Sequence, residues 1–319
     1  MASIGSTLGT GGGIRIRRVD PHDAMPLATM ISDSFLAFNQ SVNIPPHVDG
    51  FTLETSRDLM KHFTSTPTMY GVVAVEESSG ALMAGGFMYP GDVYAIGPVF
   101  ADNAFKGRGA GKAVMVALIE KVRSENAKSI RLCQVAANPI SFGLYASLGF
   151  VPVECWMDLE GNVTTEEASS ANRSCGFSPV TGVDVRRMEE ADVKCCNELH
   201  KKTMGFDREQ RIRMDIPNGA AWVAVRAGEI IAYTTGFILS GHTVAESEEV
   251  LAFMFTEVCH KTENASVPKN LHVPGRLYPR LLQWAIAAKL KMMRSCWLMV
   301  IGSYLSPQSG MVYCPSIEG

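Results

Sequence analysis

Two periodicities divide this chain into elements: alternation of apolar and polar residues marks strands, and apolar stripes at helical spacing mark helices. Ile14 and Ile16 alternate with Arg15 and Arg17, predicting a half-buried first strand. Asp20-Pro21 is a helix start signal and predicts a helix over residues 23–35. Residues 36–66 read as irregular or short-helical, with Pro45-Pro46 as a break. Two strands follow over 70–75 and 81–89, joined by the turn Glu76-Glu77-Ser78-Ser79-Gly80. Another strand over 93–101 leads into a glycine-rich turn and a helix over 112–124, in which Met115, Leu118, Ile119 and Val122 form one apolar face. Residues 129–136 are strand-like, and residues 139–148 form a short helix closed by Gly149. Strands with helices laid on them define an α/β (α+β) fold.

The pattern then repeats. Val-Asp-Val-Arg-Arg-Met-Glu-Glu-Ala-Asp at 183–192 echoes Ile-Arg-Ile-Arg-Arg-Val-Asp-Pro-His-Asp at 14–23, and residues 222–226 with 230–237 read as a second hairpin. Two copies of one architecture are expected. Residues 158–182, rich in Glu, Ser, Thr, Asn and Gly, read as a linker. The expected organisation is a flexible arm over 1–13, a first domain over 14–157, the linker over 158–182 and a second domain over 183–319. A length of 319 residues suits two domains.

Composition narrows the class. An apolar fraction of 46% and a charged fraction of 19% are ordinary for a globular chain and exclude global disorder or a coiled coil. The net charge of −3 supplies no general field for nucleic acid or a membrane surface, so neither is an expected partner. No apolar run is long enough to span a bilayer, and the 8 cysteines show no close C-x-x-C spacing. These features predict reduced thiols, no metal and a cytoplasmic protein; the acid-free Ser/Thr/Gly-rich start leaves an organelle transit peptide open.

The chemistry concentrates in one segment. Residues 96–112, Ile-Gly-Pro-Val-Phe-Ala-Asp-Asn-Ala-Phe-Lys-Gly-Arg-Gly-Ala-Gly-Lys, run from a strand through a glycine turn to a helix start. Successive backbone N–H groups and a positive helix end make an anion site there, and Lys106, Arg108 and Lys112 add local charge. A Walker loop is excluded because Lys106 stands at its first glycine and Ala113 at its metal-binding hydroxyl. A dinucleotide fingerprint is excluded because Lys112 stands at its third glycine.

Downstream lies Asn138-Pro-Ile-Ser-Phe-Gly-Leu-Tyr145-Ala-Ser-Leu-Gly149-Phe150. With both segments in view, the first domain resembles the GNAT superfamily of CoA-dependent N-acetyltransferases. The family loop Gln/Arg-x-x-Gly-x-Gly/Ala stands here as Lys106-Gly107-Arg108-Gly109-Ala110-Gly111, with Lys for the usual first residue. The resemblance implies tandem GNAT-like domains, each a mixed, mostly antiparallel sheet flanked by helices, with acetyl-CoA as co-substrate. It implies that Pro98 marks the point where central strands splay, and that the pantetheine arm lies beside Val99, Phe100 and Ala101 like an added strand. The diphosphate would sit on N–H groups from Gly107 to Lys112, Asn138 would hold the arm, and Tyr145 would protonate the departing thiolate. The amine of a small molecule or peptide would attack the thioester directly. For the general base, Asp92 and Tyr94, a surface pair and a water chain all remain open. The competing function is an acyl-CoA-binding regulatory pseudoenzyme.

The second half resembles a degenerate lobe of the same family, through Gly205-Phe206-Asp207-Arg208, Gly241-His242-Thr243 and the ending around Tyr304 and Pro315. From Thr243 to Glu249 it has no glycine turn and three glutamates, so it should hold no CoA diphosphate. Asp207, Arg208 and His242 read as substrate contacts or, more simply, as capping and surface residues. Residues 264–317 lack acid altogether, and Leu281, Trp284, Ala285 and Ala288 predict a helix packed on the second sheet.

Overall fold

The structure, a computed structural model, describes residues 13–317 except 47, 49, 126 and 263–267. The expected N-terminal arm therefore lies outside the described residues, apart from Gly13. The chain divides into two compact units, one of residues 1–132 with 140–150 and the other of 133–139 with 151–319.

Unit 1 runs β1 (Ile14–Arg18), α1 (Ala24–Ser41), α2 (Leu53–Ser65), β2 (Tyr70–Glu76), β3 (Leu82–Tyr89), β4 (Val93–Ala101), α3 (Ala110–Arg123), β5 (Ser129–Val135) and α4 (Pro139–Ser147). The last residues of β5 and the first of α4 cluster with unit 2. Asp20 caps a short 3-10 turn at Pro21–Asp23, and α1 then runs on to Ser41, beyond the residue 35 expected. Strand order is β1-β2-β3-β4-β5, antiparallel except for the parallel β4–β5 pair. Leu27, Ile31, Met60, Phe63, Val73 and Phe87 join α1, α2 and the sheet in one core.

Unit 2 continues with β6 (Val151–Gly161), α5 (Thr165–Ser174), β7 (Val183–Arg187), α6 (Val193–Met204), α7 (Glu209–Asp215), β8 (Trp222–Arg226), β9 (Glu229–Thr234) and β10 (Thr243–Ala245). It ends with α8 (Glu248–Lys261), β11 (Lys269–Val273), α9 (Pro279–Ala287), β12 (Lys291–Gly302) and β13 (Val312–Cys314). One set of strands is ordered β13-β10-β9-β8-β7, and in the other β6 lies between β12 and β11. From β7 to β12 the elements reproduce the β1 to β6 succession, strand for strand and helix for helix. The duplicated architecture is thus present in the fold.

Two boundaries differ from the sequence reading. β6 belongs to unit 2 along its whole length, because both its edges pair with unit 2 strands, β12 and β11. Residues 158–182 are not a simple linker: they hold the end of β6 and the helix α5. Thr164 caps α5 in a capping box with Glu167, and Ala168 and Ala171 enter the core. Asn172 accepts the Trp284 indole N–H at 2.7 Å. The predicted stripe of Leu281, Trp284, Ala285 and Ala288 is buried in that same core. Among the described residues, no helix is long and apolar enough to cross a membrane.

Candidate cofactor edge and glycine turn

The sequence motif places one strand edge and one helix start in succession. β4 pairs with β3 as far as Ala101, but its parallel pairing with β5 covers only Val93–Ala95. From Ile96 to Ala101 the β5-side edge pairs with no strand among the described residues, in the stretch where Pro98 removes a donor. Backbone N–H and C=O groups that face such a gap must find other partners. An extended ligand laid along the edge would supply them in the manner of an added strand.

The open edge feeds directly into the turn. Asp102 accepts from the Ala104 N–H at 2.7 Å and starts a short 3-10 segment, after which Gly107 and Gly109 adopt φ of +78° and +85°. A side chain at Gly109 would meet nothing within 4 Å, so backbone conformation rather than space requires glycine there. Gly109 is the N-cap of α3 and brings no side-chain cap. The first-turn N–H groups of Ala110, Gly111 and Lys112 have no intrahelical acceptor, and the helix end carries partial positive charge. Lys106, Arg108 and Lys112 are all exposed around it.

Arg108 has an additional tie that local spacing does not reveal. Its guanidinium donates to Glu76 at 2.6 Å and lies over the Phe105 ring at 5.1 Å. Hydrogen bonds from the Ser79 hydroxyl and from Arg108 hold Glu76 below the usual carboxylate range. Glu76 ends β2, 32 residues away, and only the sheet brings the two together.

Tyr145 sits half-buried on α4, its ring edge-on to Phe150 at 6.0 Å. α4 is almost wholly apolar, yet none of its residues is buried, and Ile140 is 84% exposed. Asn138 falls in the short segment grouped with unit 2, where its carbonyl oxygen accepts from Gln134 at 2.8 Å. Val99, Phe100, Ala101 and residues 106–112 thus form one continuous track, while Tyr145 is on a separate element of the same unit.

The two base candidates are occupied elsewhere. Tyr94 donates its hydroxyl to Glu125, and burial together with that carboxylate pushes the phenol up to about 12. A phenol held in that state is a poor proton acceptor near neutrality. Asp92 pairs with Lys128 at 2.9 Å.

In unit 2, Asp207 accepts from Asn197 and from the Glu209 N–H, a capping role at α7. Arg208 reaches Tyr313 and Ser316, and His242 is fully buried between Tyr233 and Thr235. The structure therefore gives these three residues internal structural partners. Cys195 is exposed and Cys196 buried, so the adjacent thiols face different surroundings.

Residues 40–150 match the family model for the acetyltransferase (GNAT) family, ending where unit 1 ends. The segment over residues 40–150 is thus similar to that acetyltransferase family. Among solved structures, an acetyltransferase from Pyrococcus horikoshii is similar at 18% identity, covering 98% of this chain and 96% of its own, with a TM-score of 0.70. A GCN5-related N-acetyltransferase from Sphaerobacter thermophilus covers 94% of this chain and 100% of its own, at 14% identity and a TM-score of 0.58. At those identities the likeness concerns fold, and it extends over both units. A search of curated proteins found no match.

Proposed function

We propose that the protein is an acetyl-CoA-dependent N-acetyltransferase that transfers the acetyl group directly to a primary amine of a small molecule or peptide. The observation that carries this reading is the open β4 edge from Ile96 to Ala101, which runs straight into the uncapped, glycine-led start of α3. An extended arm ending in a diphosphate matches that sequence of groups: strand-like backbone first, then clustered N–H donors and cations.

In this reading Val99, Phe100 and Ala101 bind the pantetheine arm through backbone groups, and an N–H near Val99 polarises the thioester carbonyl. Residues 106–112 take the diphosphate. Tyr145 gives its phenolic proton to the CoA thiolate as the C–S bond breaks and the C–N bond forms. The amine attacks in its neutral form and its surplus proton leaves to water, since Tyr94 and Asp92 are both engaged elsewhere. Asn138 is assigned to the arm by family resemblance alone.

Calorimetry with acetyl-CoA, followed by CoA release across a panel of amines, tests the proposal. Low-micromolar binding and amine-dependent release are expected. Binding without release on any amine would replace it with a regulatory acyl-CoA-binding role, and no binding would remove both.

A further inference from the structure

The two repeats treat the same strand edge in opposite ways. In unit 1 the stretch of β4 that leads into α3 has its β5-side edge open. In unit 2 the equivalent strand is β10, which leads into α8, and its edge is filled. β13 pairs antiparallel with all of β10, setting Thr243 against Cys314, Val244 against Tyr313 and Ala245 against Val312. β13 also lies against β11, the counterpart of β5. There His272 of β11 meets the Pro315 carbonyl at 2.8 Å, and the Tyr313 N–H donates to the Tyr278 hydroxyl at 3.0 Å. Val312, Tyr313 and Cys314 are all buried.

The rest of the segment is tethered in the same way. Gln308 donates its N–H to Thr203, Ile317 donates to Leu239, and Arg208 reaches both Tyr313 and Ser316. At the head of α8 the anion site is dismantled: Ser247 caps the helix with its own side chain. A cavity of about 440 Å³ beside it is lined by Arg226, Glu246 and Glu249, and the arginines there already have carboxylate partners, Arg226 on Glu246 at 2.5 Å and Arg280 on Glu249 at 2.8 Å.

We infer that the second cleft is a strand-binding site, and that the chain's own residues 306–317 fill it as a cofactor arm would fill the first. The inference rests on reading the β4 edge as the arm site. The chain would then take up one CoA, and unit 2 would recognise an extended peptide by main-chain pairing, with its C-terminal segment as the resident occupant.

The full-length chain and its Val312→Pro variant test this. With the Tyr313 N–H turned toward Tyr278, alternation turns those of Val312 and Cys314 toward β10, so proline at 312 deletes a ladder donor. In the unmodified chain, one CoA per chain, no capture of a labelled peptide of sequence 306–317 and no thiol labelling at Cys314 are expected. Val312→Pro should label at Cys314 as readily as at exposed Cys195, capture the peptide, fail to capture the same peptide carrying proline at 312, and still bind one CoA. Two CoA per chain, or a folded variant that captures nothing, overturns the inference. Zero CoA with peptide capture intact removes the function proposed for unit 1 and leaves the strand site standing. Should Val312→Pro not fold, Tyr278→Phe removes only the acceptor of Tyr313; unchanged protection of Cys314 in that variant also overturns it.

Discussion

Arg17 and Asp23 meet end to end, two guanidinium nitrogens on two carboxylate oxygens at 2.7 and 2.8 Å, locking β1 to the turn before α1. The second repeat builds the same clasp from Arg186 and Asp192 at 2.6 and 2.8 Å. The following arginine is also conserved between repeats in its role: Arg18 lies over Tyr70 at 3.9 Å and Arg187 over Trp222 at 4.0 Å. Equivalent side-chain devices at equivalent places argue for duplication more strongly than the common order of elements.

Asp23→Asn should therefore lower stability by about 1–3 kcal/mol, the cost of weakening a bidentate, partly buried charged pair. Although burial opposes it, the hydrogen bonds from Arg17 hold the Asp23 carboxyl below its usual range. Its contribution is complete above the unfolded carboxylate value and is lost as pH falls through the lower folded one. Denaturant melts of parent and variant at neutral and acid pH should converge at the acid end.

Gly109→Ala places a side chain at φ of +85° in open space. The expected cost is about 1–2 kcal/mol of left-handed strain, with weaker acetyl-CoA binding as the turn relaxes. Thermal melts with calorimetry separate the two effects.

Tyr145→Phe should lower kcat by about 10²- to 10⁴-fold, the usual contribution of a positioned proton donor. The dissociation constant for acetyl-CoA should barely change, because the ring remains. Tyr94→Phe, which breaks the bond to Glu125, should leave the pH profile of turnover where it was; a shifted basic limb would return Tyr94 to the mechanism.

His242 governs a different pH response. Burial, with Arg208, His200 and Arg211 adding repulsion, drives its imidazole well below the ordinary histidine value. The folded state holds it neutral while the unfolded chain takes up a proton near pH ~6.5. Stability should be full above that pH and decline as pH falls below it toward the folded value. Denaturant midpoints across pH 5–8 should show that slope, and His242→Gln should flatten it.

The linker reading shows where local pattern misled. Residues 158–182 look linker-like because Ser, Thr, Asn and Glu dominate, but small side chains can pack a helix as well as large ones. Ala168 and Ala171 give α5 its buried face, and Asn172 is consumed by Trp284, 112 residues away. Asp158, the first residue of the expected linker, is fully buried. Arg294 and Asn270 reach it at 3.0 and 2.6 Å from strands far along the chain. Despite its burial, bonds from His272, Arg294 and Asn270 hold its carboxyl at about 2.

The sequence by itself determined the repeated strands and helices, the glycine turn that suits an anion, and the absence of that turn from the second copy. These are properties of neighbouring residues: periodicity, φ preference and capping chemistry act over a few positions. Tertiary structure alone decided that β6 belongs with β11 and β12, that Arg108 is tied to Glu76, and that β4 keeps an open edge while β10 is covered by β13. Each depends on which strands become neighbours in the sheet, a choice made by long-range pairing and burial rather than by local spacing.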